Sequence, residues 1–213
     1  MNPNQLDQLA LAVAKGPAHP SPLRAYTCVL LSFAGALLLM ILGLGIRPDV
    51  SSASASDVFW IKLAFPLTLS VLTLQAVKRV VHPGANAMGS VKLIVIAVVA
   101  FWIVALVPTY GSTPSTTFQQ DLWGRTWREC PLYIGLISLP MLGVAMWLLR
   151  YWGPVSVRLA GGLAGFVCGT LAAAIYALHC QESGFLFLGT WYLIGALVPM
   201  VIGTVLGPSV LKW

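Results

Sequence analysis

The chain has 213 residues, of which 58% are hydrophobic and only 8% charged, and its formal net charge is +6. A soluble domain usually carries about a quarter charged residues, so this composition excludes an ordinary water-facing surface and makes a bilayer the natural solvent. A basic balance can signal nucleic acid, but here the basic residues flank apolar runs, and the sequence holds no phosphate loop and no nucleic-acid module.

Residues 1–25 read as a tail separate from the membrane domain at 26–213. Asn4 can cap a short helix with Asp7 in its first turn. Leu6, Leu9, Ala10 and Val13 recur at helical spacing, and Gly16-Pro17 ends the pattern. His19, Pro20, Ser21 and Pro22 then form a linker. A helix this short is marginal in water and needs a surface to order it. Either a partner's hydrophobic groove or the membrane surface would serve. The first 23 residues lack the basic start and following apolar run of a cleavable signal peptide.

Six apolar windows match the roughly 20 residues that cross about 30 Å of hydrocarbon. They are Tyr26–Ile46, Val58–Val77, Val91–Pro108, Pro131–Leu149, Val157–Leu178 and Phe185–Leu206. The expected fold is therefore all-α, a polytopic bundle of six transmembrane helices. An even number of spans places both termini on one side. That side collects Lys15, Arg24, Lys78, Arg79, Lys92, Arg150, Arg158 and Lys212, against Arg47, Lys62, Arg125 and Arg128 on the other. The positive-inside rule then puts both termini in the cytoplasm. The longest loop, Thr109–Glu129, and the tight turn His179–Gly184 fall outside. Small residues repeat every four positions at Gly161, Gly165 and Gly169 and at Gly203 and Gly207. Such spacing lets helix backbones approach closely, either within one chain or in a homodimer.

Depth sorts the four cysteines. Cys28 opens the first span near the cytoplasm, and Cys168 lies about 16 Å into the fifth. Cys180 is about 18 Å further along that helix, too far from Cys168 for a disulfide, which needs Cα atoms within about 7 Å. Cys130 opens span four and Cys180 closes span five, so these two share the outer interface, where a disulfide is feasible. Cys130 is expected at a helix N-terminus ahead of Pro131, where the macrodipole favours a thiolate and Arg125 and Arg128 add positive potential. It is thus expected to react first, with Cys180 resolving it. A permanent structural disulfide, or a soft-metal site using Cys130, Cys180 and His179, are alternatives. Cys28 and Cys168 read as packing residues. Lys62, with an acid such as Asp57, is a candidate relay inside span two.

Several segments resemble the NrsF-like membrane anti-sigma factors. They are Arg125–Pro140, with its Arg-Thr-Trp-Arg-Glu-Cys-Pro run, Ala177–Glu182, Trp191-Tyr192, Gly207–Trp213 and Phe59–Leu63. The resemblance implies that the chain sequesters an extracytoplasmic-function sigma factor at the bacterial inner membrane, and that oxidants or thiol-reactive metals outside relieve the inhibition. It further implies that the family's two cysteines map onto Cys130 and Cys180, and its cytoplasmic segment onto residues 1–25, with Leu6, Leu9, Ala10 and Val13 as the sigma-binding face. No cofactor, no enzymatic activity and no direct nucleic-acid contact is expected. Two alternatives compete. A membrane thiol/disulfide oxidoreductase would want a Cys-x-x-Cys or a relay of pairs, and a small transporter would want intramembrane ionisable groups along a path.

Overall fold

Six helices are long and apolar enough to cross a membrane in the computed structural model, which describes residues 20–81, 88–111 and 115–211 together with Gln5 and Gln8. Helix α1 is Pro22–Gly43, α2 Val50–Ala53, α3 Asp57–Val81, α4 Met88–Gly111, α5 Ser115–Trp123, α6 Glu129–Trp152, α7 Val157–Tyr176 and α8 Phe185–Val210. The expected windows all become helices, with ends set by local chemistry. Ser21 caps α1 by accepting the Arg24 N–H at 3.4 Å, and Pro22 opens it at a position where a missing N–H costs nothing. Gly153, at φ 54°, ends α6 in the left-handed conformation that glycine adopts without strain. Helix α3 continues through Pro66 and Lys62 to Val81.

Two features depart from the sequence reading. The polar segment after α4 contains a nine-residue helix, α5, where a loop was expected. The last span carries a π-helical turn at Leu188–Tyr192, of the kind that often marks a functional position. The expected tail helix and its Leu6, Leu9, Ala10 and Val13 face lie outside the described residues.

Helix α7 is the hub. It packs on α8, α3 and α6, while α1 rests mainly on α6, and α4 rests on α3. The α7–α8 seam explains the glycine spacing. A Cβ on Gly161 would strike the Gly203 carbonyl, one on Gly165 the Pro199 carbonyl, and one on Gly207 the Val157 carbonyl; a Cβ on Gly169 would lie 2.6 Å from the Ala196 Cα. These glycines therefore serve packing within the chain. Across the other face of α7, the Thr170 and Ser70 hydroxyls lie 2.8 Å apart, and each also reaches a backbone carbonyl of its own helix. Such a pair adds a polar tie between spans at modest strength.

A thiol pair and its cationic clamp

Three connections gather at the bundle end opposite the start of α1 and the end of α8: residues 44–56 after α1, 124–128 before α6, and the turn 177–184 between α7 and α8. Cys130 enters from the second. The helix starts at Glu129, two residues ahead of the expected Pro131, so Cys130 lies inside the first turn of α6, its N–H donating to the Thr126 carbonyl at 3.0 Å. Cys180 follows α7, its N–H donating to the Tyr176 carbonyl at 3.0 Å. The two sulfurs share one buried cluster, at 0% and 3% exposure, and lie near enough to interact electrostatically with each other. Both are free thiols.

The cation beside them is Lys62. Its side chain, from α3, is 1% exposed. Its Nζ donates to the Cys180 carbonyl at 2.9 Å and to the Glu182 carbonyl. Removing an ammonium from water costs several kcal/mol, and here the Cys180 and Glu182 carbonyls, in the turn that follows α7, offset that cost. Helix dipoles favour positive charge at that end. Lys62 also interacts electrostatically with both thiols. Asp57, the partner suggested by sequence, is exposed. Arg47 adds a second donor to the Cys180 carbonyl at 3.3 Å and holds Asp49 in a bidentate pair at 2.7 and 2.8 Å. That pair raises the Arg47 pKa above its ordinary value, chiefly through the hydrogen bond to Asp49, and the same bond lowers the Asp49 pKa.

His179 turns toward α1, its Nδ1 lying 2.9 Å from the Gly45 carbonyl, which makes Nδ1 the protonated nitrogen. Arg125 and Arg128 are exposed. The Arg125 backbone N–H donates to Glu182 at 2.8 Å, and the Arg128 guanidinium lies 4.8 Å over the Trp127 ring. Trp123, Trp127 and Trp191 pack on one another with centroids 4.8 to 5.5 Å apart, and the Trp191 indole donates to the Leu122 carbonyl at 2.7 Å. Tyr176 and Tyr192 lie 6.0 Å apart beside the thiols. The Tyr192 hydroxyl is buried and close enough to Cys180 to interact with it. No group of three or more His, Cys, Asp or Glu side chains that could hold a metal occurs among the described residues, which leaves the two thiols as the soft donors of the site. Cys168 is buried in the middle of α7 and Cys28 is half-buried on α1.

Lys62 and Arg47 are the residues whose place here sequence reasoning did not foresee. A lone lysine inside an apolar span was the available signal.

Fold and site together define a protein of membrane type, with six helices of span length and two buried thiols at one end. The chain matches the family model described as Negative regulator of sigma F, NrsF, over residues 9–213. It is 36% identical over 180 residues to the probable anti-sigma-F factor NrsF of Azospira oryzae, covering 84% of each chain. It is 33% identical over 211 residues to the anti-sigma-F factor NrsF of Caulobacter vibrioides, covering 98% of this chain and 97% of that one. No solved structure matches. The chain belongs to the NrsF family.

Proposed function

We propose that this protein is a membrane-bound anti-sigma factor of the bacterial inner membrane, and that Cys130 and Cys180 are its trigger. The observation that carries the reading is the burial of these two thiols in one cluster, near enough to interact electrostatically, in a chain that shares its family with anti-sigma-F factors. With the termini cytoplasmic, residues 1–25 bind an extracytoplasmic-function sigma factor through Leu6, Leu9, Ala10 and Val13 and keep it from RNA polymerase. The thiol pair then faces the oxidising side. A peroxide arriving there takes two electrons and two protons from the pair. One thiolate attacks an oxygen, water leaves, and the sulfenic acid condenses with the second thiol, releasing a second water and forming the disulfide. A thiophilic divalent metal ion would instead displace both protons and bridge the sulfurs. Burial of both sulfurs restricts the trigger to small reagents.

The signal has a physical route to the tail. The Cys180 carbonyl is held by Lys62 of α3 and by Arg47, and the Arg47 N–H donates to the Leu178 carbonyl at 3.3 Å. His179 binds the Gly45 carbonyl. Any shift of the 178–182 turn therefore pulls on the end of α1, and α1 leads directly into the tail. The energetics favour partial release. A switch from mostly bound to mostly free needs about 5.5 kcal/mol, while a disulfide typically supplies about 2–4 kcal/mol.

The test is transcription from the sigma-dependent promoter after peroxide or a thiophilic metal, in wild type and in Cys130→Ser and Cys180→Ser. Loss of induction in either variant is expected, and an undiminished response in both removes the thiol trigger. Pull-down of the sigma factor with and without residues 1–25 tests the tail, and equal retention by the truncated chain excludes it.

A further inference from the structure

Which of the two sulfurs attacks an oxidant is decided by the charge around each. By chain position Cys130 has the advantage, since a helix N-terminus carries about half a positive charge on its unpaired N–H groups. The first of those groups are partnered here. The Glu129 and Cys130 N–H both donate to the Thr126 carbonyl, at 3.1 and 3.0 Å, and Pro131, next in line, has no N–H to offer. The Glu182 carboxylate also interacts electrostatically with Cys130, which opposes negative charge on that sulfur. Lys62 interacts with Cys130 too, but more weakly than with Cys180.

Cys180 has the opposite setting. A helix C-terminus disfavours an anion through its unpaired carbonyls, yet those at the end of α7 are occupied. The Tyr176 carbonyl accepts from the His179 and Cys180 N–H at 2.9 and 3.0 Å, the Ile175 carbonyl from the Leu178 N–H at 3.1 Å, and the Leu178 carbonyl from the Arg47 N–H at 3.3 Å. The Cys180 carbonyl itself takes the Lys62 ammonium at 2.9 Å and the Arg47 guanidinium at 3.3 Å. Asp49 offsets the charge of Arg47, whereas Lys62 donates to two neutral carbonyls. The buried Tyr192 hydroxyl, where the π turn ends, interacts with Cys180 ahead of Cys130.

A full ammonium charge beside one sulfur outweighs about half a charge at the helix end behind the other. We infer that Cys180 is the attacking sulfur and Cys130 the resolving one, an assignment that rests on the reading of this pair as a trigger for peroxide. The Cys180 sulfur attacks one peroxide oxygen. An S–O bond forms, the O–O bond breaks, and the departing hydroxyl leaves as water with the Cys180 thiol proton. The Cys130 sulfur then attacks the sulfenic sulfur. An S–S bond forms, the S–O bond breaks, and the second hydroxyl leaves as water with the Cys130 proton. The first atom to change therefore sits in the turn that Arg47 and His179 tie to the end of α1.

The experiment is sulfenic-acid trapping in the purified, reduced full chain. Cys130→Ser and Cys180→Ser are each treated with hydrogen peroxide in the presence of dimedone, and the adduct is located by peptide mass, which separates it from Cys28 and Cys168. Half a charge in excess a few ångströms away is worth about tenfold at an effective dielectric constant of about 20. Cys180 in Cys130→Ser should therefore gain its adduct about tenfold faster than Cys130 does in Cys180→Ser. Equal rates, or the reverse order, overturn the assignment and leave the thiol trigger standing. No adduct at either sulfur removes the trigger itself, and the assignment with it. Wild type under limiting peroxide and excess dimedone covers a variant that fails to fold. Its adduct should map to Cys180, and an equal or greater share on Cys130 overturns the assignment.

Discussion

Helices α7 and α1 are both apolar and long enough to cross a membrane, yet they hold opposite places. Fifteen of the 20 residues of α7 are buried, whereas α1 buries Ala36 and Met40 and presents Leu23, Leu30, Leu31 and Leu42 outward. Hydrophobicity gives helices no reason to associate inside a bilayer, since lipid tails are as apolar as leucine. Size decides instead. Gly161, Gly165 and Gly169 let the α7 backbone touch that of α8, while the α1 glycines Gly35 and Gly43 meet nothing within 4 Å. The result is a rigid frame of α6, α7 and α8 with a loosely held arm, and the arm is the helix that leads into the tail. The proposed trigger needs both.

The sharpest way to break that contrast is to add bulk to each helix. Valine at Gly165 would place its Cβ against the Pro199 carbonyl, and a backbone atom in a packed seam has little room to give. Overpacking of a side-chain core costs about 1–3 kcal/mol, and a clash with backbone should exceed that. Gly165→Val is therefore expected to abolish the monodisperse peak in fluorescence-detected size exclusion. Gly35→Ala on α1, where a Cβ meets nothing within 4 Å, should raise thermal stability slightly, by about 0.5–1 kcal/mol. Equal behaviour of the two variants would dissolve the distinction between frame and arm.

Next in size is the cationic clamp. Lys62→Met keeps the volume of the buried side chain but strips a donor from the Cys180 and Glu182 carbonyls. An unsatisfied buried acceptor costs about 1–3 kcal/mol. Arg47 still reaches the Cys180 carbonyl, so the loss falls mainly on Glu182. The expected outcome is a lowered melting temperature and faster alkylation of the thiols by a small maleimide as the 180–182 turn loosens. Unchanged alkylation would mean that Lys62 does not hold the turn over the sulfurs.

That clamp also marks the limit of what the sequence disclosed. The six spans were readable because twenty apolar residues in a row admit few other fates, and the glycine stripes because only small residues tolerate backbone contact. Depth counting brought Cys130 and Cys180 to one end, since a helix rises by a fixed amount per residue. Lys62 was different. Its role depends on carbonyls 118 and 120 positions away, and no local pattern encodes the end of one helix meeting the middle of another's first turns. The cations chosen by proximity in sequence, Arg125 and Arg128, lie exposed at the surface. Helix α5 escaped for the opposite reason: its nine Thr- and Gln-rich residues are too few and too polar to read as a span, and it packs on the first turn of α8.

The arm's attachment gives a smaller effect. His179→Ala removes the bond to the Gly45 carbonyl, a neutral hydrogen bond worth about 0.5–1.5 kcal/mol net. Global stability should fall by no more than that. Hydrogen exchange should rise at residues 43–47 and stay level in α7 and α8. Faster exchange spread through the α7–α8 seam would show that the arm and frame are one cooperative unit.

The smallest effect expected is a pH dependence of the same attachment. Arg47 holds the Asp49 pKa below its ordinary value of 3.8, chiefly through their hydrogen bond. A carboxyl whose folded pKa is lowered contributes stability above the unfolded value and loses it as pH falls through the folded one. The contribution should therefore be complete above 3.8 and vanish on further acidification. Asp49 is fully solvent-exposed, so screening keeps the effect small. Other carboxylates titrate nearby, so the informative quantity is the difference in melting temperature between wild type and Asp49→Asn. It should shrink as pH falls from about 5 to about 2, because protonation turns the wild-type side chain into a neutral mimic of the variant. A difference that stays constant across that interval would mean that the Arg47–Asp49 pair does not brace the arm, leaving the backbone bond from Arg47 to Leu178 and the His179 contact as its hold on the thiol turn.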